Sequence, residues 1–131
     1  MTFNFDREFQ SMMQVHDLNT VILLEHLNPD GDAAESAMGL AHYIKVNYPQ
    51  YKVLPYLADT LDKGPKKQVK LDKVFNPFEK PDVKEKYDVI VCDTAVLARM
   101  IGREYYEGAE ASIVIDHHAS NEGYGDGNYT Q

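Results

Sequence analysis

The stretch TVILLEHLNPDGDA, residues 20–33, changes character twice. Residues 20–27 are a run of β-branched and leucine side chains bounded by polar ones, the composition of a strand buried on both faces. Residues 28–32, Asn-Pro-Asp-Gly-Asp, then break the run with proline and glycine. From Ala33 the apolar residues recur at helical spacing, with Ala37, Leu40, Ala41 and Ile44 on one face. Asp32 followed by Glu35 resembles a capping box at the start of that helix, and Pro49 lies just past its end. A buried strand that feeds a helix through a short polar turn is the building unit of an α/β fold.

Outward from this unit the alternation continues. Residues 5–17 carry Phe5, Phe9, Met12 and Met13 at helical spacing, with Val15 further on. YKVLPYLA (51–58) predicts a second strand, and Pro55 within it predicts a place near a sheet edge. YDVIVCDT (87–94) and ASIVIDHH (111–118) predict two more. Between them a helix is expected over 95–107, closed by Gly108. Residues 61–86 hold eight of the thirteen basic residues and Pro65, Pro77 and Pro81, which reads as surface loop with room for a short strand near Val69–Phe75. A glycine-rich polar tail ends the chain. The expected architecture is a single α/β domain over 1–131, with a mostly parallel sheet between helical layers.

Composition narrows the function. At 131 residues, 44% hydrophobic and 26% charged, the chain is an ordinary globular domain with no transmembrane-like run. Its N-terminus is too acidic and too broken for a secretory signal, and a single cysteine, Cys92, excludes an internal disulfide. Both point to a cytoplasmic protein. The net charge of −8 argues against binding nucleic acid by phosphate neutralisation alone. Phosphate chemistry stays open, because two divalent cations at one spot would reverse the local field.

In parallel sheets ligands bind beyond the carboxyl ends of the strands. HLNPDGD, CDT and DHH each follow a predicted strand, so three polar clusters are expected on one sheet edge. In the first, His26, Asp30 and Asp32 are spaced H-x3-D-x-D; the local alternative is a turn aspartate, a helix-capping aspartate and a strand-ending histidine. Asp93 could equally cap the helix after it, and Cys92 reads as a small core residue. Asp116-His117-His118 is harder to explain as packing. If Asp30, Asp32, Asp93 and Asp116 converge, their mutual repulsion carries a cost that bound divalent cations remove. Mixed carboxylate and imidazole donors suit Mn²⁺, with Mg²⁺, Co²⁺ or Zn²⁺ open, and a cysteine-free set argues against a structural zinc knot.

HLNPDGDA, VCDTA and IDHHASN, in this order and at these spacings, resemble the first three motifs of the DHH phosphoesterase superfamily over roughly residues 15–130. That group includes oligoribonucleases that dephosphorylate 3′-phosphoadenosine 5′-phosphate, cyclic-dinucleotide phosphodiesterases, single-strand DNA exonucleases and family II pyrophosphatases. The resemblance implies two Mn²⁺ ions, one held by His26, Asp30 and Asp93, the other by Asp32, Asp93 and His117. Asp93 would bridge them. It implies that His118 faces the scissile phosphate, with Asp116 orienting an imidazole from behind. Arg99 matches a recurrent arginine of the oligoribonuclease-like branch, the plain alternative being an exposed helix arginine. The implied reaction is hydrolysis of small nucleotide phosphates or short single-stranded oligonucleotides by a water shared between the cations. Lys63, Lys66, Lys67, Lys70 and Lys73 either touch such a polyanion or form a solvated loop.

The chain also departs from that pattern. The superfamily carries a fourth-motif aspartate some tens of residues after DHH, and then a smaller substrate-binding domain. This sequence runs thirteen residues past His118, and Asp126, in YGDGNY, matches the loop that follows DHH instead. Glu35 stands where the superfamily usually has glycine. The expectation is therefore a fragment or a natural short form, with a weaker second metal site and an uncovered surface that favours homo-oligomers. The alternatives are a non-catalytic metal- or nucleotide-binding remnant and a pyrophosphatase-like hydrolase.

Overall fold

The computed structural model describes residues 4–25, 31–57, 74–76, 79–92, 102–116 and 127–130, with the backbone alone for 31–36, 116 and 127–130. Within them the chain runs through α1 (Phe5–Val15), β1 (Thr20–Glu25), α2 (Gly31–Asn47), β2 (Lys52–Tyr56), β3 (Asp88–Cys92), α3 (Arg103–Gly108), β4 (Ser112–Asp116) and β5 (Gly127–Thr130). The strands form one sheet in the order β2-β1-β3-β4-β5, and every neighbouring pair is parallel.

Strand composition explains the order of burial. All six residues of β1 and all five of β3 are buried, as expected of central strands covered on both faces. The edge position of β2 also bears out the reading of Pro55. The Lys52 amide donates to the Asn19 carbonyl at 2.7 Å, so alternate amides turn toward β1. Pro55 lies on the other phase, where its missing N–H costs no ladder bond.

Side-chain alternation divides the core in two. On one face Val21, Leu23, Ile90, Cys92 and Ile113 meet Phe9, Met12 and Met13 of α1 and Ala37, Met38, Ala41 and Ile44 of α2. On the other, Ile22, Leu24, Val89, Val91 and Val114 are covered by Tyr105 and Tyr106 of α3 and by Val83 and Tyr87. This is the expected three-layer arrangement. Each large apolar side chain removed from water in it contributes about 1.5–3 kcal/mol.

α1 is defined by its ends. The Asn4 side chain accepts from the Arg7 amide at 3.1 Å, and Asp6 and Glu8 sit in the first turn, where the helix dipole favours them. At the far end Leu18 donates to the Met13 carbonyl and Asp17 to that of Gln14, the two bonds of a Schellman motif. Asp17 occupies its left-handed position at φ 53° in place of the usual glycine. Val15 falls outside the buried stripe and is 70% exposed. The Asp6 carboxylate ties α1 to α2, accepting from the hydroxyls of Tyr43 at 2.6 Å and Tyr48 at 2.5 Å.

Several boundaries differ from expectation. α2 begins at Gly31, so Asp32 lies inside the first turn and not at the cap. A single helix over 95–107 is not what the described part shows. Gly102 adopts a left-handed conformation (φ 68°, ψ 38°) immediately before α3, which ends with Gly108 as its last residue. Glycine alone takes that conformation freely, and a glycine inside a helical pattern was the signal for the break. The polar tail yields β5, paired in parallel with β4 from Gly127 to Thr130. Of the short strand expected near Val69–Phe75, residues 69–73 lie outside the described residues and Val74 and Phe75 are not in a strand; Phe75 packs edge-on against His42, with ring centroids 5.0 Å apart.

Candidate metal centre

The strands that precede the three polar clusters end at one sheet edge. In the parallel register Glu25 lies opposite Cys92, Cys92 lies opposite Ile115, and Asp116 follows as the last residue of β4. After β1 the chain crosses to β2 on one side, then returns past β1 to β3 on the other. The β1/β3 boundary is therefore the switch point of the sheet, and its carboxyl ends flank the crevice in which α/β sheets bind ligands.

Of the predicted site residues, Asp32 is in the first turn of α2 and Asp116 closes β4, where its backbone pairs with Thr130. His26, Asp30, Asp93, Arg99, His117 and His118 lie outside the described residues, as do Asp126 and Lys63, Lys66, Lys67, Lys70 and Lys73. Among the described residues no group of three or more His, Cys, Asp or Glu is placed to hold a metal. The topology thus brings together the strand ends after which the predicted site residues follow in sequence: Glu25 precedes His26, and Cys92 precedes Asp93.

The residues predicted as ligands, His26, Asp30, Asp32, Asp93 and His117, would offer two imidazoles and three carboxylates, an oxygen-rich set of the kind that suits Mn²⁺. Cys92 adds no thiolate to it, being buried among Ile90, Leu23 and Ile113 in the core.

The shifted titrations of the described part serve packing. Hydrogen bonds from Tyr43 and then Tyr48 lower the pKa of Asp6, while Asp6 raises Tyr43 and pushes Tyr48 up to about 12. At the amino end of β1, away from the candidate edge, the Thr20 hydroxyl donates to Glu85 at 2.9 Å and holds its carboxyl below the usual range. Burial raises Tyr105, whose hydroxyl donates to the Pro81 carbonyl at 2.6 Å.

Two carboxylates escaped the motif reading. Glu25 and Asp88 are both 0% exposed, at opposite ends of the two central strands. The signal was present: an acid inside TVILLE, and another opening DVIVC. Charged residues are seldom fully buried without a specific reason.

The profile of the DHH family's N-terminal domain matches residues 20–129. The chain belongs to the DHH family. The match begins at the first residue of β1 and runs into β5, so it spans the whole sheet apart from its final residue, while α1 precedes it. The bifunctional oligoribonuclease and PAP phosphatase NrnA of Bacillus subtilis is 34% identical over 111 residues, which cover 82% of this chain and 32% of that protein. A probable bifunctional oligoribonuclease and PAP phosphatase NrnA of Streptococcus mutans is 32% identical over 120 residues, 90% of this chain and 36% of its own length. The Mycoplasma pneumoniae NrnA is 28% identical over 119 residues, covering 88% and 35%. This DHH chain therefore spans about a third of the length of the relatives it matches. Among the described residues no helix is long and apolar enough to cross a membrane.

Proposed function

We propose that this DHH domain is the metal-binding part of a cytoplasmic phosphoesterase acting on short oligoribonucleotides or small nucleotide phosphates. One observation carries the reading. The ends of β1 and β3 flank the switch point of a parallel sheet and that of β4 lies next to β3 on the same edge, each followed in sequence by one of the three DHH motifs. The similarity to the NrnA proteins, named as oligoribonucleases and PAP phosphatases, supports this substrate class.

His26, Asp30 and Asp93 would hold one divalent cation, and Asp32, Asp93 and His117 a second. Bound there, the cations supply charge neutralisation at phosphorus and a water acidic enough to act as nucleophile near neutral pH. Asp93 would be the ligand common to both sets. His118 donates a hydrogen bond or a proton to the phosphate or its leaving oxygen. Asp116 accepts from an imidazole and fixes its orientation.

The test is Mn²⁺-dependent hydrolysis of a short RNA oligomer and of PAP, native chain against Asp93→Ala. Removal of a bridging ligand is expected to abolish turnover; equal rates in the two proteins would sink the bridging role. The length of the relatives favours a second reading, a binding module that needs further chain to turn over. Calorimetry separates the two, because tight Mn²⁺ binding by a native chain without turnover supports the module.

A further inference from the structure

We propose that a cleft along the outer edge of β2 binds a small ligand that joins a flat aromatic ring to a phosphate, the chemistry of a nucleoside monophosphate. The cleft encloses about 600 Å³ between two walls, one drawn from residues 45–55 and the other from residues 74–76 and 79–82. That volume is ordinary for a small-molecule site. By strand alternation Val53 and Pro55 lie on one face of β2 and Lys52 and Leu54 on the other. All four line the cleft, so it straddles the free edge of the outermost strand. In register Lys52 stands opposite Thr20 and Pro55 opposite Leu23, two residues short of Glu25. The cleft is therefore separate from the candidate metal edge, and the proposal does not depend on the metal-binding reading.

The lining decides the class of ligand. Tyr51 and Phe75 supply aromatic surface, one on each wall, and both rings are already held. Tyr51 packs edge-on against Phe9 with ring centroids 5.5 Å apart, and Phe75 against His42 at 5.0 Å. Rings fixed before binding lose little freedom when a flat ligand packs on them. Val74, in the same lining, is 52% exposed and adds apolar surface open to solvent.

Charge is divided unequally between the walls. The first carries Lys45 and Lys52 and no acid. Among the described residues neither lysine forms an ion pair. In a chain of net charge −8 this is a local reversal of sign. On the second wall Glu79 accepts from Asn76 at 3.1 Å and Lys80 pairs with Glu104 at 3.2 Å, with Asp82 as the other acid. An anionic group therefore belongs on the Lys45–Lys52 wall. Lysine meets a phosphate as a point charge, and a phosphate monoester carries nearly two negative charges at neutral pH, which matches two ammonium groups.

An added peptide strand fits this edge less well. The Lys52 amide turns toward β1, so that of Val53 turns outward, and Pro55, next in the outward phase, has no N–H. Val53 is thus the single outward donor of β2, too few for a ladder.

The experiment titrates AMP, adenosine and inorganic phosphate into the native chain in excess EDTA, which keeps divalent cations from holding phosphate elsewhere. Calorimetry gives the Kd, and amide shifts in isotope-labelled protein give the place. AMP is expected to shift the amides of residues 51–54 and 74–76, and adenosine and phosphate to bind about tenfold more weakly or worse. Lys45 and Lys52 are both exposed, so Lys45→Ala/Lys52→Ala should keep the native Tm. It should raise the AMP Kd roughly 3–30-fold, the effect of two exposed charge contacts, and leave adenosine unchanged. Lys86→Ala, an exposed lysine outside the cleft, should stay within about twofold of native. AMP that leaves the cleft amides unmoved at millimolar concentration overturns the proposal. So does inorganic phosphate that binds as tightly as AMP, since the ring would then have no place in the site. A double variant that binds AMP like the native chain, or equal weakening by Lys86→Ala, overturns it as well.

Discussion

Replacing Gly102 with alanine probes the point at which α3 is set against the sheet. Gly102 has φ 68°, and a Cβ there would lie 3.0 Å from Cδ2 of Tyr56, 3.1 Å from Cδ2 of Leu24 and 3.1 Å from Cδ2 of Tyr105. Two costs follow. An L-residue in the left-handed region loses about 1–2 kcal/mol. A methyl group forced several tenths of an ångström inside normal carbon–carbon contact adds overpacking of about 1–3 kcal/mol. The stiffer unfolded chain returns about 0.4–1 kcal/mol. The net destabilisation expected for Gly102→Ala is roughly 2–4 kcal/mol, a large part of the 5–15 kcal/mol typical of a domain. Urea unfolding followed by circular dichroism would read this as a lower midpoint at unchanged slope. In a double-mutant cycle Gly102→Ala should cost less on a Leu24→Ala background than on the native one, because one contact is freed while the backbone cost remains. If Gly102→Ala lies within about 0.5 kcal/mol of native, both the conformational and the steric argument fail.

Two further predictions concern α1. The Asp6 carboxyl is held below its usual 3.8 by Tyr43 and Tyr48, so its contribution is present above about pH 4 and lost as pH falls through the depressed folded value. Tyr48 is raised from 10.0 to about 12, so its contribution is complete below pH 10 and lost between pH 10 and 12. Thermal midpoints across pH 3–12 should fall at both ends, and Tyr48→Phe should flatten the alkaline fall; an unaltered alkaline limb would refute the clamp. At the end of α1, Asp17→Val should cost about 1–2 kcal/mol and Asp17→Gly should be neutral or slightly stabilising, since only glycine takes φ 53° freely. Equal midpoints for the two variants would remove the Schellman cap from the account.

Much of this was legible in the amino-acid sequence, and the reasons are local. β1, β2, β3 and β4 are short apolar runs set off by polar or turn residues, and α2 shows its buried stripe at Ala37, Ala41 and Ile44. Strand propensity and helical periodicity need nothing beyond neighbouring residues, so they survive reading one stretch at a time. The same holds for the three polar clusters, since each is written directly after the strand that carries it, and the family match over 20–129 agrees with them.

Other features are properties of the assembled sheet. GNYT has no strand pattern of its own and becomes β5 because the open edge of β4 offers backbone partners from Ile113 to Asp116. The glycine at 102 is visible in the sequence, but the close approach of Leu24, Tyr56 and Tyr105, which leaves little room for a Cβ there, is a product of packing. An acid within TVILLE and another opening DVIVC stand out in the sequence, but that Glu25 and Asp88 are wholly buried is a property of the packed sheet. The sequence by itself determined that a polar cluster follows each of β1, β3 and β4. The strand order β2-β1-β3-β4-β5 alone decided that the ends of β1 and β3 flank one crevice, because order and register come from backbone pairing between segments distant along the chain.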